Sequence, residues 1–390
     1  MPKKPRSGWH RLVSLLIVLG VLLLLAAAAS PLLQLLLPWG LSHHQGTNDV
    51  HAIGFADNDV PYAILQHEGS MLWNVSSDTE MTRLGQNGEW GYSAISPDGK
   101  LAAIVFEFQQ KIRVLSSDSL VEVASLPCRR SDYRPDLGCR LCFSPDGRFL
   151  AAMTENHIAV NDKGQPLSEK EIQIGPYPLT LKEEQCIQVW EIGTWRKVRQ
   201  FDTDDSLDSI AVSTDGTVAA WEYKRNLRLW ASSRPASTQP TTRADLPGEV
   251  MAFSPGGRWL AGGYWNRVAV AEVPSLVKSQ EIVLTGLCTS VAFSPDGLHL
   301  AICGNTGQFS ADGFSGSGSF LELWESPPGK AVRTMHIEFS GVLAECLAFS
   351  KDGSRCAVAG LGNKVMILNV LQRRIEHQYD LKSYPTPPRQ

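Results

Sequence analysis

The sequence predicts an all-β fold: a seven-bladed β-propeller of four-stranded antiparallel blades, preceded by one transmembrane helix. Three observations predict it. A short turn phrase recurs along the chain, an apolar run follows each copy some fifteen residues later, and an uncharged apolar segment fills residues 12–37.

The phrase reads "ISPDGKLAA" at 95–103, "CFSPDGRFLAA" at 142–152, "AVSTDGTVAA" at 211–220, "AFSPGGRWLAG" at 252–262, "VAFSPDGLHLA" at 291–301 and "AFSKDGSRCAV" at 348–358. A seventh, eroded copy is "GFADNDVPYAI" at 54–64, with Asn58 in the slot of Asp98 and Asp59 in that of Gly99. Residues of strand character lead in, and Ser-Pro-Asp-Gly then turns the chain. Pro presets φ, Asp bonds nearby backbone, and Gly accepts positive φ, so each copy is a β-hairpin turn. The alanines just past the turns, Ala102, Ala151, Ala219, Ala261 and Ala301, mark a second strand hemmed in by neighbours.

A third run recurs as "MLWNV" at 71, "IRVLS" at 112, "IQVWEI" at 187, "LRLWAS" at 227, "VAVAEV" at 268, "LELWES" at 321 and "VMILNV" at 365, and a fourth follows in "KVRQF" at 197 and "RRIEHQY" at 373. The unit is therefore four strands. The turn glycines at 99, 147, 216, 257, 297 and 353 are spaced by 48, 69, 41, 40 and 56 residues. A period near forty with insertions describes a propeller or an array, and residues 51–381 are long enough for seven blades.

These residues resemble the WD-repeat family, through "FSPDG" and the strands ending in Trp190, Trp230 and Trp324, with Trp73 one copy earlier. Extracytoplasmic bacterial propellers of the TolB type, which also carry "SPDG", are a second possible parent. No copy has the Gly-His dipeptide of the WD pattern, and Glu, Ala or Asn follows the Trp instead of Asp. The WD resemblance implies a scaffold for protein partners and no catalysis.

The N-terminal segment divides into a basic cytoplasmic tail (1–11), a signal-anchor helix (12–37) and a tether (38–50). As a helix, residues 12–37 would span about 39 Å against a hydrocarbon core of about 30 Å. Lys3, Lys4, Arg6 and Arg11 precede the span, and no Lys or Arg follows until Arg83. Positive charge stays inside, which places the propeller on the extracytoplasmic side of a single-pass protein. A cleaved signal peptide is the alternative, given the basic start and "AAAAS"; the apolar "PLLQLLLPW" beyond that point favours an uncleaved anchor.

The chain has 36 Lys and Arg against 40 Asp and Glu. With four of the basic residues ahead of the span, the remainder carries an excess of eight acidic charges, which repels nucleic acid. Candidate chemistry is sparse. Cys139 and Cys142 form C-x-x-C, but no second pair follows, and Cys142 and Cys356 occupy slots that other copies fill with small residues. Cys128 and Cys139 could staple the loop between them in an oxidising compartment. The Asp202, Asp204, Asp205, Asp208 cluster lacks the pattern of a calcium loop. The Gly-rich stretch at 304–320 has no Lys and no helix after it, and reads as a flexible insertion. No Ser-His-Asp grouping emerges from spacing, the strand-lead positions facing the channel read as mostly apolar, and no metal or cofactor is expected.

The expected working surface is the face carrying three insertions, at 127–139, 154–185 and 304–319. The first of these offers Arg129, Arg130, Tyr133 and Arg134 as partner-binding residues of types common at interaction hot spots. The expected function is a non-catalytic, membrane-anchored protein-interaction scaffold. The alternative is an extracytoplasmic ligand-binding or enzymatic propeller acting on a sugar, peptide or metal-bearing substrate. The Pro-rich 382–390 reads as a tail.

Overall fold

The computed structural model describes residues 49–381 apart from 57–58, 67–69, 85–90, 107–110, 128–139, 161–179, 204–205, 223–225, 236–238, 311–312 and 326–331. Seven four-stranded sheets follow one another along the chain. Blade one holds β1 (Asp49–Phe55), β2 (Pro61–Gln66), β3 (Ser70–Asn74) and β4 (Thr79–Arg83); blade two holds β5 (Gly91–Ile95), β6 (Leu101–Phe106), β7 (Lys111–Ser116) and β8 (Glu122–Pro127). Blade three is β9 (Arg140–Phe143), β10 (Phe149–Val160), β11 (Thr180–Glu191) and β12 (Arg196–Thr203), and blade four is β13 (Leu207–Val212), β14 (Val218–Glu222), β15 (Leu227–Trp230) and β16 (Thr241–Arg243). Blade five comprises β17 (Val250–Phe253), β18 (Trp259–Tyr264), β19 (Arg267–Glu272) and β20 (Val277–Val283). Blade six comprises β21 (Leu287–Phe293), β22 (His299–Ser310), β23 (Gly313–Glu325) and β24 (Arg333–Ser340). Blade seven comprises β25 (Leu343–Phe349), β26 (Arg355–Leu361), β27 (Lys364–Asn369) and β28 (Arg374–Asp380). The first strand of each blade touches the first strands of both neighbours, so β1, β5, β9, β13, β17, β21 and β25 form a closed ring around a channel.

The repeated phrase builds the turn that leads from each first strand into the second. In blade two the Gly99 N–H donates to the Ser96 carbonyl at 2.8 Å, the Ser96 hydroxyl donates to Asp98 at 2.6 Å, and Asp98 accepts the Lys100 N–H at 3.1 Å. Gly147 and Gly297 have φ of 71° and 72° in the same place, and in the eroded first copy Asp59 takes that left-handed position with φ 58°. The Asp59 N–H closes its turn on the Ala56 carbonyl at 2.9 Å, so the geometry survives where the phrase does not.

Between blades lies the core. Ala102, Ala151, Ala219, Ala261 and Ala301 are all 0 % exposed, as a strand packed on both faces requires. At the seam of blades three and four, Phe149, Ile187, Val189 and Phe201 meet Leu207, Ile210, Val212 and Trp230. Each such large side chain contributes about 1.5–3 kcal/mol on burial. Side-chain amides reinforce two seams by imitating a strand partner. Gln185 accepts the Leu207 N–H at 2.7 Å and donates to its carbonyl at 3.4 Å; Asn305 accepts the Ala344 N–H at 2.8 Å and donates to its carbonyl at 3.2 Å.

Every blade is built from consecutive strands, and among the described residues no strand pairing crosses the junction where blade seven meets blade one. That junction closes through side chains. Val50, Ile53, Phe55 and Ala63 pack on Ala357, Ala359, Val365 and Ile367, and the Cys346 thiol points at the Val50 carbonyl at 3.6 Å.

The Gly-rich stretch at 304–320 departs from expectation. Rather than a flexible insertion, most of it extends β22 and β23, paired from Asn305↔Ser319 to Ser310↔Gly313. Likewise β10 and β11 continue pairing to Val160↔Thr180 within the stretch read as a joining segment. Backbone pairing needs no particular side chain, so a hairpin already started propagates through glycine and serine. The anchor at 12–37 and the tail at 382–390 lie outside the described residues, and no helix among the described residues is long and apolar enough to cross a membrane.

Candidate functional site

Strand direction sorts the connections onto two faces. The turns from first to second and third to fourth strands share one face. The hairpins from second to third strands and the links to the next blade share the other. The hairpins β10–β11 and β22–β23, built on strands of 12 or 13 residues, therefore rise from the same face as the blade two to blade three link between Pro127 and Arg140. Arg129, Arg130, Tyr133 and Arg134, together with Cys128 and Cys139, lie in that link and outside the described residues.

The ring of first strands opens onto this face, and charged side chains gather at the opening. Four of the strands carry a register shift at one equivalent place: between Val50 and Ala52, Leu207 and Ser209, Cys288 and Ser290, and Ala344 and Cys346. The extra residues are His51, Asp208, Thr289 and Glu345. A β-bulge of this kind leaves its residue unpaired and re-aims the side chain. Glu249, just ahead of β17, stands at the same distance from its turn.

Charges from three different blades interact here. Burial raises the Asp208 carboxyl, with Arg140 opposing, and burial followed by the charge of Asp208 raises Glu249, again opposed by Arg140. The Arg140 guanidinium itself lies 5.2 Å from the centre of the Tyr92 ring. Glu345 reaches channel solvent but is hemmed in by protein, and lost hydration, then the charge of Asp49, lifts its carboxyl to about 7. His51 is lowered to about 4 by burial and is neutral at physiological pH. Among the described residues, the carboxyls of Asp208, Glu249 and Glu345 at this mouth outnumber the Arg140 guanidinium.

The sequence reading that channel-facing positions are mostly apolar is therefore corrected at this mouth. The signal was present as a column: the residues five places before the turn serines, or before Ala56 in blade one, are His51, Gly91, Cys139, Asp208, Glu249, Thr289 and Glu345. At the opposite mouth a cavity of about 460 Å³ is lined by Ile95, Phe143, Phe253, Phe293, Phe349 and turn prolines, together with Asp98, Asp146 and Lys351.

Burial pushes the thiols of Cys142 and Cys303 up to about 12, and Cys356 is fully buried, so they stay protonated. Among the described residues no group of three or more His, Cys, Asp or Glu side chains is placed to hold a metal ion. The recurring third-strand tryptophans do not share one polar partner: Trp73 donates to Asp78 at 3.3 Å and Trp324 to Glu322 at 2.9 Å, where Glu322 also accepts from Arg333 at 2.7 Å.

A chain of the structure described as "Crystal Structure of Mitotic Checkpoint Complex" has a similar fold, with a TM-score of 0.56 at 14 % identity over 83 % of this chain and 89 % of that chain. No protein-family model matches the sequence, and no curated protein matches it. At this identity the likeness is one of fold.

Proposed function

We propose that this protein is a non-catalytic protein-interaction scaffold, held to a membrane by residues 12–37 with its propeller on the extracytoplasmic side. The observation that carries the scaffold reading is the lengthening of two blade hairpins, β10–β11 and β22–β23, on the face onto which the first strands open. Loops and extensions on a rigid framework are where binding residues concentrate. The structural neighbour belongs to a complex of proteins, which is consistent with a partner-binding role.

Capture of cross-linked partners from membranes tests the face. Alanine at Arg129, Arg130 and Tyr133 weakens capture with little change in Tm, while changes on the turn face, at Lys100 or Arg148, leave it intact. The reverse pattern places the partner on the turn face. The anchor has its own test. Each central charge costs about 2.5–3.5 kcal/mol on the insertion scale, so Leu22→Arg with Leu23→Arg shifts the protein to the soluble fraction or blocks export. Normal export with membrane retention removes residues 12–37 as the anchor.

A second reading, a propeller that binds an extracytoplasmic ligand or substrate, is favoured by one observation, the pairing of Asp208 and Glu249 from neighbouring blades at the mouth. Loss of binding in an Asp208→Asn, Glu249→Gln variant with the link residues intact supports it.

A further inference from the structure

We infer that the hairpin face carries a subsite for an arginine side chain of a partner protein, with Trp265 and Tyr264 against the guanidinium plane and Asp208 with Glu249 taking its charge. The subsite presupposes the scaffold reading and gives the chemistry of its partner. Two contacts assemble it from blades four, five and six. The Ser209 hydroxyl donates to the Gly248 carbonyl at 2.5 Å, which joins the segments carrying Asp208 and Glu249, the residues next to these two. The Trp265 carbonyl accepts the Cys288 N–H at 2.6 Å, which ties the tip of the β18–β19 hairpin to the first strand of blade six.

Three aromatic rings run from this seam to the surface. Trp221, 4 % exposed, packs so closely on Gly248 that a Cβ there would fall 2.7 Å from Trp221 Cδ1. The Trp221 ring centre lies 5.0 Å from that of Tyr264, and Tyr264 lies 6.0 Å from Trp265, with planes tilted by 44° and 49°. Trp265 ends the row 41 % exposed. Among the described residues the buried indole N–H of Trp221 has no acceptor, and a donor left in this state calls for one from outside the fold.

Stability alone argues against Trp265 at this tip. Its φ is 53°, in the left-handed region that costs an L side chain and suits glycine. Blade seven places Gly362, φ 110°, at the matching position. The match is set by the residues that follow: Asn266 and Asn363 each accept a backbone N–H from the end of their own blade, Leu284 at 2.8 Å and Leu381 at 2.7 Å. A large ring kept exposed on a strained turn marks a binding residue. The neighbours set the ligand class. A guanidinium is flat, weakly hydrated and always charged, stacks on Trp and Tyr faces, and pairs with carboxylates. The cation already present, Arg140, lies 5.2 Å from the Tyr92 ring centre in blade two and faces two carboxyls, those of Asp208 and Glu249.

NMR of the indole N–H groups in the full-length protein, in detergent micelles with isotope-labelled tryptophan, reads the subsite directly. The probe is the capped tripeptide Gly-Arg-Gly, with its uncharged citrulline counterpart and methyl glucoside as controls. The arginine peptide shifts the Trp265 and Trp221 signals along a saturating curve, and the controls do not. Asp208→Asn with Glu249→Gln weakens binding at least about tenfold, through loss of charge-assisted hydrogen bonds. Trp265→Gly weakens it about fivefold while Tm stays or rises, which a ring serving only the fold would not do; this variant stands as the test if the double variant misfolds. Equal shifts with citrulline, shifts with the sugar in place of the arginine peptide, or unchanged affinity in a folded variant overturns the inference. Partner capture that is lost in the link variants but kept in Trp265→Gly retains the scaffold reading and overturns the arginine subsite alone.

Discussion

Gly99→Ala is expected to destabilise the protein by more than about 4 kcal/mol or to prevent folding, whereas Gly147→Ala costs only about 1–2 kcal/mol. The two glycines occupy the same place in the same phrase, with φ of 69° and 71°. They differ in what lies beside them. A Cβ at Gly99 would fall 1.7 Å from the Phe55 carbonyl oxygen and 2.4 Å from its carbon, while nothing lies within 4 Å of one at Gly147. The second substitution therefore meets only the cost of a left-handed alanine, and the first must also move the backbone of blade one. Urea unfolding of both variants separates the terms. Equal losses would mean that the close approach of Gly99 to blade one is not part of the folded state.

Asn305→Leu is expected to cost about 2–4 kcal/mol, from leaving buried backbone groups short of partners. Asn305 is 8 % exposed and spans two blades, holding both the N–H and the carbonyl of Ala344. The Ser319 hydroxyl, 3.0 Å from the same N–H, can replace the acceptor but not the donor to the carbonyl. The loss is thus smaller than two orphaned groups would give. Thermal unfolding with Gln185→Leu as a companion checks the generality, because Gln185 holds Leu207 by the same device. A change within about 0.5 kcal/mol, the range of an ordinary surface substitution, would show that the amide clip does not bear on the seam.

Much of the architecture was legible because its determinants are local. Turn chemistry is spelled out within a few residues, so the left-handed positions at Gly147, Gly297 and even Asp59 could be assigned before any contact was known. Burial on both sides of the second strand showed in the alanines at 102, 151, 219, 261 and 301, since no larger side chain fits there. The third and fourth runs located β3, β7, β11, β15, β19, β23 and β27, with β12 and β28 after them. The gathering of Asp49, Asp208, Glu249 and Glu345 was not legible in that way. A charge between apolar residues looks solvated until a bulge turns it toward a channel and neighbours from other blades strip its water. The extension of β22 and β23 through glycine and serine escaped the pattern for a related reason, as backbone pairing left no mark on side-chain alternation. By itself the sequence determined seven hairpin units and the order of their strands, because those depend on residues a few places apart. Only the tertiary structure decided which charges share a mouth and how the last blade meets the first, because those depend on groups up to some three hundred residues apart, such as Asp49 and Glu345, that the closed ring brings within electrostatic reach.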